Sequence, residues 1–153
     1  MDIQLLTGVI VKAKAATYVG GGDKARSSRM GSHDLTWADG DWRYLDSYFG
    51  GTDFIGQEVI WFRQEPVWAM NYHGYIRHPQ LIDGHRAGAT IKAALSSMYR
   101  QGRFLGGFEW SGEHGKYTDE NVGDAAHFRG HEAIWVESRE AYALDYHGGL
   151  LRA

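Results

Sequence analysis

FIGQEVIW runs from Phe54 to Trp61, and FRGHEAIW runs from Phe128 to Trp135, 74 residues further on. Each places a glutamate, Glu58 or Glu132, in the middle of an apolar run with strand character. The match extends downstream without a gap: VWAMNYHG (Val67 to Gly74) answers AYALDYHG (Ala141 to Gly148), and nine of 21 positions are identical. Upstream, Leu35-Thr36-Trp37 answers Phe108-Glu109-Trp110, and Gly40-Asp41-Trp42 answers Gly115-Lys116-Tyr117. Two hairpins of shared strand composition would look alike in places. Ungapped identity at this density points instead to an internal repeat of about 1–76 and 77–153 within a single domain, 1–153.

Each half opens with a helical pattern. Ile3, Leu6, Ile10 and Ala13 share one helical face after Asp2, a capping residue. Ile91, Ala94, Leu95 and Met98 do the same, and Gly102 is placed to stop the helix. The layout is therefore α-β-β-β-β twice. Alternating aromatics in WRYLDSYF and two-residue turns at Gln64-Glu65 and Ser138-Arg139 predict antiparallel hairpins. The expected fold is α+β: an antiparallel sheet with two helices packed on one side and a pseudo-twofold cleft between the repeats.

With those turns, Glu58 is expected opposite Asn71, and Glu132 opposite Asp145. Trp61, Trp68, Met70 and Tyr72, with Trp135, Tyr142, Leu144 and Tyr146, then form a bulky face for the helices to cover. The other face carries Glu58, Asn71 and His73, and in the second copy Glu132, Asp145 and His147. These two clusters, joined by Tyr44 and Tyr48, are the expected ligand-binding residues. A mid-strand glutamate on a solvated face, tied to a cross-strand amide, is the plainer alternative. Glu132, Asp145 and His147 could present three metal ligands, but the first copy has Asn71 in place of the aspartate. No metal and no cofactor is expected.

The first half has an extra stretch of roughly a dozen residues between Tyr18 and His33. Its glycines, Gly20 to Gly22, with Lys24, Arg26 and Arg29, could hold an anion. A surface loop is the alternative.

Composition narrows the field. The net charge of −3 leaves no basic footprint for nucleic acid. With no cysteine, disulfides, thiolate metal sites and a cysteine nucleophile are excluded. The N-terminal stretch lacks the basic region and long apolar run of a secretion signal, and nothing approaches a membrane span, so a cytoplasmic location is expected. No phosphate-loop, nucleophile-elbow or kinase motif occurs.

The stretches AATYVGGG, SSRMGSHDL, DSYFGGTDFIGQEVIW and PVWAMNYHG, with the final YHGG, resemble a bacterial family of unknown function. Its members occur alone and fused behind XRE-type helix-turn-helix regulators. The resemblance spans nearly the whole chain and implies a sensory, small-molecule-binding role. It supplies no catalytic residues. At the level of architecture the chain is also similar to GyrI-like effector-binding domains, duplicated α+β units with a glutamate and aromatics in a central cleft.

The expectation is a protein that binds a small, partly aromatic or cationic ligand between its repeats, without nucleic acid or membrane as a partner. A homodimer is compatible with this. A small hydrolase or lyase using Glu58 or Glu132 as general base is the alternative, and a structural or partner-binding protein is the second.

Overall fold

The computed structural model describes residues 1–21 and 23–152. Helix α1 (Ile3–Lys14) starts where Asp2 accepts the backbone N–H groups of Gln4 and Leu5, at 2.8 and 3.3 Å. It runs on into a π-helical turn, Ala15–Val19. Strands β1 (Asp23–Ala25), β2 (His33–Asp39), β3 (Trp42–Gly50), β4 (Phe54–Phe62) and β5 (Glu65–Ile76) follow. Helix α2 (Gly84–Tyr99) is capped by Asp83, and β6 (Phe108–Gly112), β7 (Gly115–Asp124), β8 (His127–Val136) and β9 (Arg139–Leu150) complete the chain. The short β1 lies within the extra stretch of the first half. Gly22, named for its backbone N–H, lies outside the described residues.

All nine strands form one antiparallel sheet in the order β1-β2-β3-β4-β5-β9-β8-β7-β6. Apart from β1, the order reads symmetrically outward from the β5–β9 pair. At that centre Tyr72 faces Tyr146, its counterpart 74 residues on. Both helices pack on one side. Leu6, Ile10 and Ala13 of α1 and Ile91, Ala94 and Met98 of α2 are buried there against Ile60, Trp68, Ile134 and Tyr142 of the sheet. The fold is thus the expected α+β arrangement.

The hairpin register differs from the expectation by one residue. The left-handed turn residues are Arg63 and Gln64 (φ 49° and 72°) and Glu137 and Ser138 (φ 50° and 63°), one position earlier than predicted. Two positive φ values are what a tight type I′ hairpin needs. A β-bulge then follows in each hairpin: Ile60 pairs with Trp68 but Trp61 with Pro66, and Ile134 pairs with Tyr142 but Trp135 with Glu140. The two shifts leave a net slip of one residue, which moves a whole strand's side chains to the other face. Glu58 therefore lies opposite Met70, not Asn71, and Glu132 opposite Leu144, not Asp145.

The bulge residues are tied down in parallel ways. The Val67 carbonyl accepts the Leu151 N–H at 2.9 Å, and the Ala141 carbonyl accepts the Arg77 N–H at 2.8 Å. The slip also corrects the tryptophans. Trp61 is half-buried and Trp135 is 38% exposed, on the face without helices. Trp68 is the tryptophan buried beneath the helices, with its indole N–H donating to the Ala125 carbonyl at 3.0 Å.

Candidate functional site

Strand parity places Tyr44, Asp46 and Tyr48 of β3 on the helix-covered face, beside Glu58 of β4. In the second half Tyr117, Asp119 and Glu132 occupy the matching places, with Asp119 opposite Glu132 as Asp46 is opposite Glu58. Two aromatic bridges connect these groups to the sheet centre. The Tyr72 hydroxyl donates to Asp46 at 2.5 Å and the Tyr146 hydroxyl to Asp119 at 2.7 Å. Each tyrosine crosses an intervening strand at a glycine, Gly56 or Gly130, where a Cβ would collide with the ring. The glycine in FIGQEVIW and FRGHEAIW is therefore a passage for a phenol to reach a carboxylate two strands away.

Four carboxyl groups thus gather under the helices, and one ammonium joins them. Lys14, at the end of α1, donates to both Glu58 oxygens at 2.6 and 2.7 Å and approaches the Met70 sulfur at 3.5 Å. Both partners of this ion pair are buried. Glu132 has no such partner. No ion pair reaches its carboxyl group among the described residues, and the Tyr117 hydroxyl beside it is not aligned for a full hydrogen bond. The protein encloses Glu132, and the surface it retains belongs to a cavity wall.

That cavity has a volume of about 180 Å³ and lies between the helices and the sheet. Helix α2 lines it with Gly84, Ala87, Gly88, Ile91, Leu95 and Tyr99, one stripe at helical spacing. Tyr18, Tyr48, Phe54, Tyr72 and Tyr142 add aromatic surface. The polar part consists of Lys14, Asp46, Glu58 and Glu132. The turn at Gly51 and Thr52 closes one side. The equivalent space in the other half is filled: Phe104 stands edge-on to both Trp68 and Phe128, at 5.9 and 5.7 Å between ring centres. The near-symmetric sheet therefore carries a one-sided cavity.

Burial shapes the electrostatics. It raises Glu132 to a pKa of about 8, helped by the Asp119 charge and opposed by the Tyr117 hydroxyl and Lys14. Burial raises Asp46 to about 7, with the Glu58 charge adding to it and the Tyr72 hydroxyl opposing it. Burial likewise lifts Asp119 to about 6. Near neutral pH this cluster therefore holds protons that exposed carboxylates would have lost. Among the described residues three phenols, Tyr44, Tyr117 and Tyr142, are buried with no well-formed hydrogen bond, Tyr44 beside Glu58 and Tyr117 beside Glu132.

The predicted site residues divide between two faces. Glu58, Glu132 and Tyr48 line the cavity, and Tyr44 is buried beside Glu58 and Asp46 without lining it. Asn71, His73, Asp145 and His147 lie on the opposite, exposed face. There Asn71 bonds Gln57 at 2.9 Å, and Asp145 bonds His131 at 2.7 Å. The sheet separates Glu132 from Asp145 and His147, so these three cannot share a metal. Among the described residues, no His, Asp or Glu side chains are grouped as a metal ion would require.

Lys24 and Arg29 are also remote from the cavity. Lys24 is exposed on β1, while Arg29 donates to the Ser47 carbonyl and hydroxyl at 2.8 and 2.7 Å and covers the Phe49 ring. Arg29 fastens the extra stretch to β3. Asp34 joins it there, accepting from Ser28 and Ser47, and these hydrogen bonds hold its carboxyl down at about 2 against the effect of burial.

Lys14, Asp46 and Asp119 were missed, although the sequence held signals for each. Lys14 follows Ile10 by four positions on the apolar stripe of α1. Asp46 and Asp119 each stand two residues after a tyrosine, in Tyr44-Leu45-Asp46 and Tyr117-Thr118-Asp119. Pairing Trp42 with Tyr117 hid that correspondence.

The chain belongs to the family described as Domain of unknown function (DUF5680), whose model matches residues 46–151. No curated protein and no solved structure matches it significantly.

Proposed function

We propose that this protein binds a small molecule in the cavity between its two helices and its sheet. The observation that carries this reading is the placement of Glu132: a largely enclosed carboxyl group without an ion-pair partner, in the wall of an aromatic-lined cavity. Burying such a group is costly unless something uses it. A cavity of about 150 Å³ is enough for benzene, so about 180 Å³ has room for one ring and a short substituent.

A sensing or sequestering role in the cytoplasm fits this site. The likeness of the central motifs to domains fused behind XRE-type regulators supports it, as does the architectural likeness to GyrI-like effector domains. Among the described residues no helix is long and apolar enough to cross a membrane. The second reading is a hydrolase or lyase. Asp46 and Glu132, with pKa values of about 7 and 8, are poised for general acid–base work near neutral pH.

Gly88→Leu tests the cavity. A Cβ at Gly88 meets nothing within 4 Å, so the leucine can extend into the cavity without displacing the helix. Helix propensity favours the change. In a thermal-shift screen of small aromatic and cationic compounds, wild type should be stabilised by some that leave Gly88→Leu unmoved. Equal responses from both proteins would refute cavity binding. Mass analysis of the compounds after incubation separates binding from turnover.

A further inference from the structure

We propose that the ligand is a small organic cation with a compact apolar body, and that Glu132 alone is its counter-ion. The inference rests on the cavity reading and specifies its chemistry. Glu58 cannot serve, because Lys14 occupies both of its carboxylate oxygens, at 2.6 and 2.7 Å. Asp46 already accepts the Tyr72 hydroxyl. Glu132 has no ion-pair partner among the described residues, and its one polar neighbour of hydrogen-bonding kind, the Tyr117 hydroxyl, is uncharged and not well aligned to it. The cavity wall carries three carboxyl groups against one ammonium, so as these carboxyls ionise its charge favours a cation and disfavours an anion. Tyr18, Phe54, Tyr72 and Tyr142 in the same wall add aromatic surface of the kind ammonium groups favour.

The surroundings of Glu132 predict how binding responds to pH. Lys14 and Tyr18 face it from α1 and the π turn, Tyr99 from α2, and Glu58 from β4. Tyr117 and Asp119 face it from β7, and Tyr142 and Tyr146 from β9. Lys14 is the one cation in this set, and it is engaged with Glu58. Burial and the Asp119 charge keep the Glu132 proton in place up to about pH 8. A cation that seats against Glu132 must therefore displace that proton to solvent. Its affinity rises with pH until the carboxyl has titrated. A neutral ligand that accepts the Glu132 proton as a hydrogen bond would show the opposite slope.

Benzylamine and benzyl alcohol have nearly the same shape and differ in charge. Their binding would be measured by calorimetry from pH 6 to 8.5, in buffers of different ionisation enthalpy. Wild type should prefer benzylamine, release a proton on binding it, and gain about tenfold in affinity per pH unit while Glu132 remains protonated. Glu132→Gln, with its melting curve recorded as a check on folding, should lose the preference, the proton release and the slope. Asp46→Asn should retain the preference for the amine. Equal binding of the alcohol, an affinity that falls with pH, or loss of the preference in Asp46→Asn instead of Glu132→Gln would overturn the cation assignment while leaving cavity binding intact. Binding of neither probe to wild type, with no hit in the wider thermal-shift screen, would overturn both.

Discussion

The Lys14 ammonium bonds both oxygens of Glu58, 44 residues away, in a place where water scarcely reaches either group. Breaking such a pair from one side leaves a buried charge, which is far more damaging than replacing both partners. Lys14→Met should therefore cost about 3–5 kcal/mol at neutral pH. Adding Glu58→Gln should recover much of that loss. Denaturant melts of the two single variants and the double variant provide the measurement. An additive result would mean that the pair does not act as a unit.

Gly56 and Gly130 are explained by the tyrosines that cross them. A Cβ at Gly56 would meet the Tyr72 hydroxyl and ring edge, and one at Gly130 would meet Tyr146. Gly56→Ala and Gly130→Ala should each destabilise by about 1–3 kcal/mol, the usual range for overpacking. Tyr72→Phe removes the atom nearest the new methyl, so it should partly rescue Gly56→Ala. Gly88→Ala is the control: with open space around it, it should stabilise by about 0.5–1 kcal/mol. Chemical denaturation of these variants beside wild type decides the matter.

The tryptophans give a clear contrast. Trp68 is fully buried, stacks on Phe128 at 5.8 Å and donates to a backbone carbonyl. Trp68→Ala should cost about 3–5 kcal/mol. Trp135 lies on the open face, where its main tie is a 2.9 Å hydrogen bond to the Thr118 hydroxyl. Trp135→Ala should cost about 0.5–1.5 kcal/mol, the value of one hydrogen bond. Comparable losses at both positions would contradict the observed strand parity.

That contrast also marks how far the sequence could be followed. Helical spacing located both apolar stripes, and Asp2 marked the first cap, because these signals are local. The hairpins were legible from FIGQEVIW and its echo. Their register was not, because it depends on a turn with non-glycine residues at positive φ and on a bulge beside Trp61 and Trp135. Neither feature has a strong signature: Arg63-Gln64 and Glu137-Ser138 lack the glycine or asparagine that usually betrays a type I′ turn. One residue of error placed Glu58 and Glu132 on the open face with Asn71 and His73, and Trp61 and Trp135 under the helices. Glu58 and Glu132 stand out in any register, since an acid in an apolar run is conspicuous. Lys14 belongs to a helix distant in sequence, so only the tertiary fold brings it to Glu58.

The pH dependence of stability follows from Glu132. In the unfolded chain its carboxyl titrates near about 4.3, whereas in the folded protein burial and the Asp119 charge hold its proton to about pH 8. Between those values the folded state binds more protons than the unfolded state. Stability must then fall as pH rises through this window, and level off above it. Asp46, raised to about 7, and Asp119, raised to about 6, contribute in the same direction over narrower windows. Asp34, held down at about 2, opposes them only at acid pH, where stability falls as its carboxylate is protonated. Glu132→Gln keeps the side-chain shape and has no proton to lose. Its stability should decline less steeply between pH 5 and 8, and at pH 8 it should exceed wild type by at least about 1 kcal/mol, the order of one pKa unit. Urea melts of both proteins across this range test the sign directly. Parallel profiles, or a wild type that gains stability between pH 5 and 8, would mean that Glu132 is ionised in the folded protein and that the charge balance of the cavity has been misjudged.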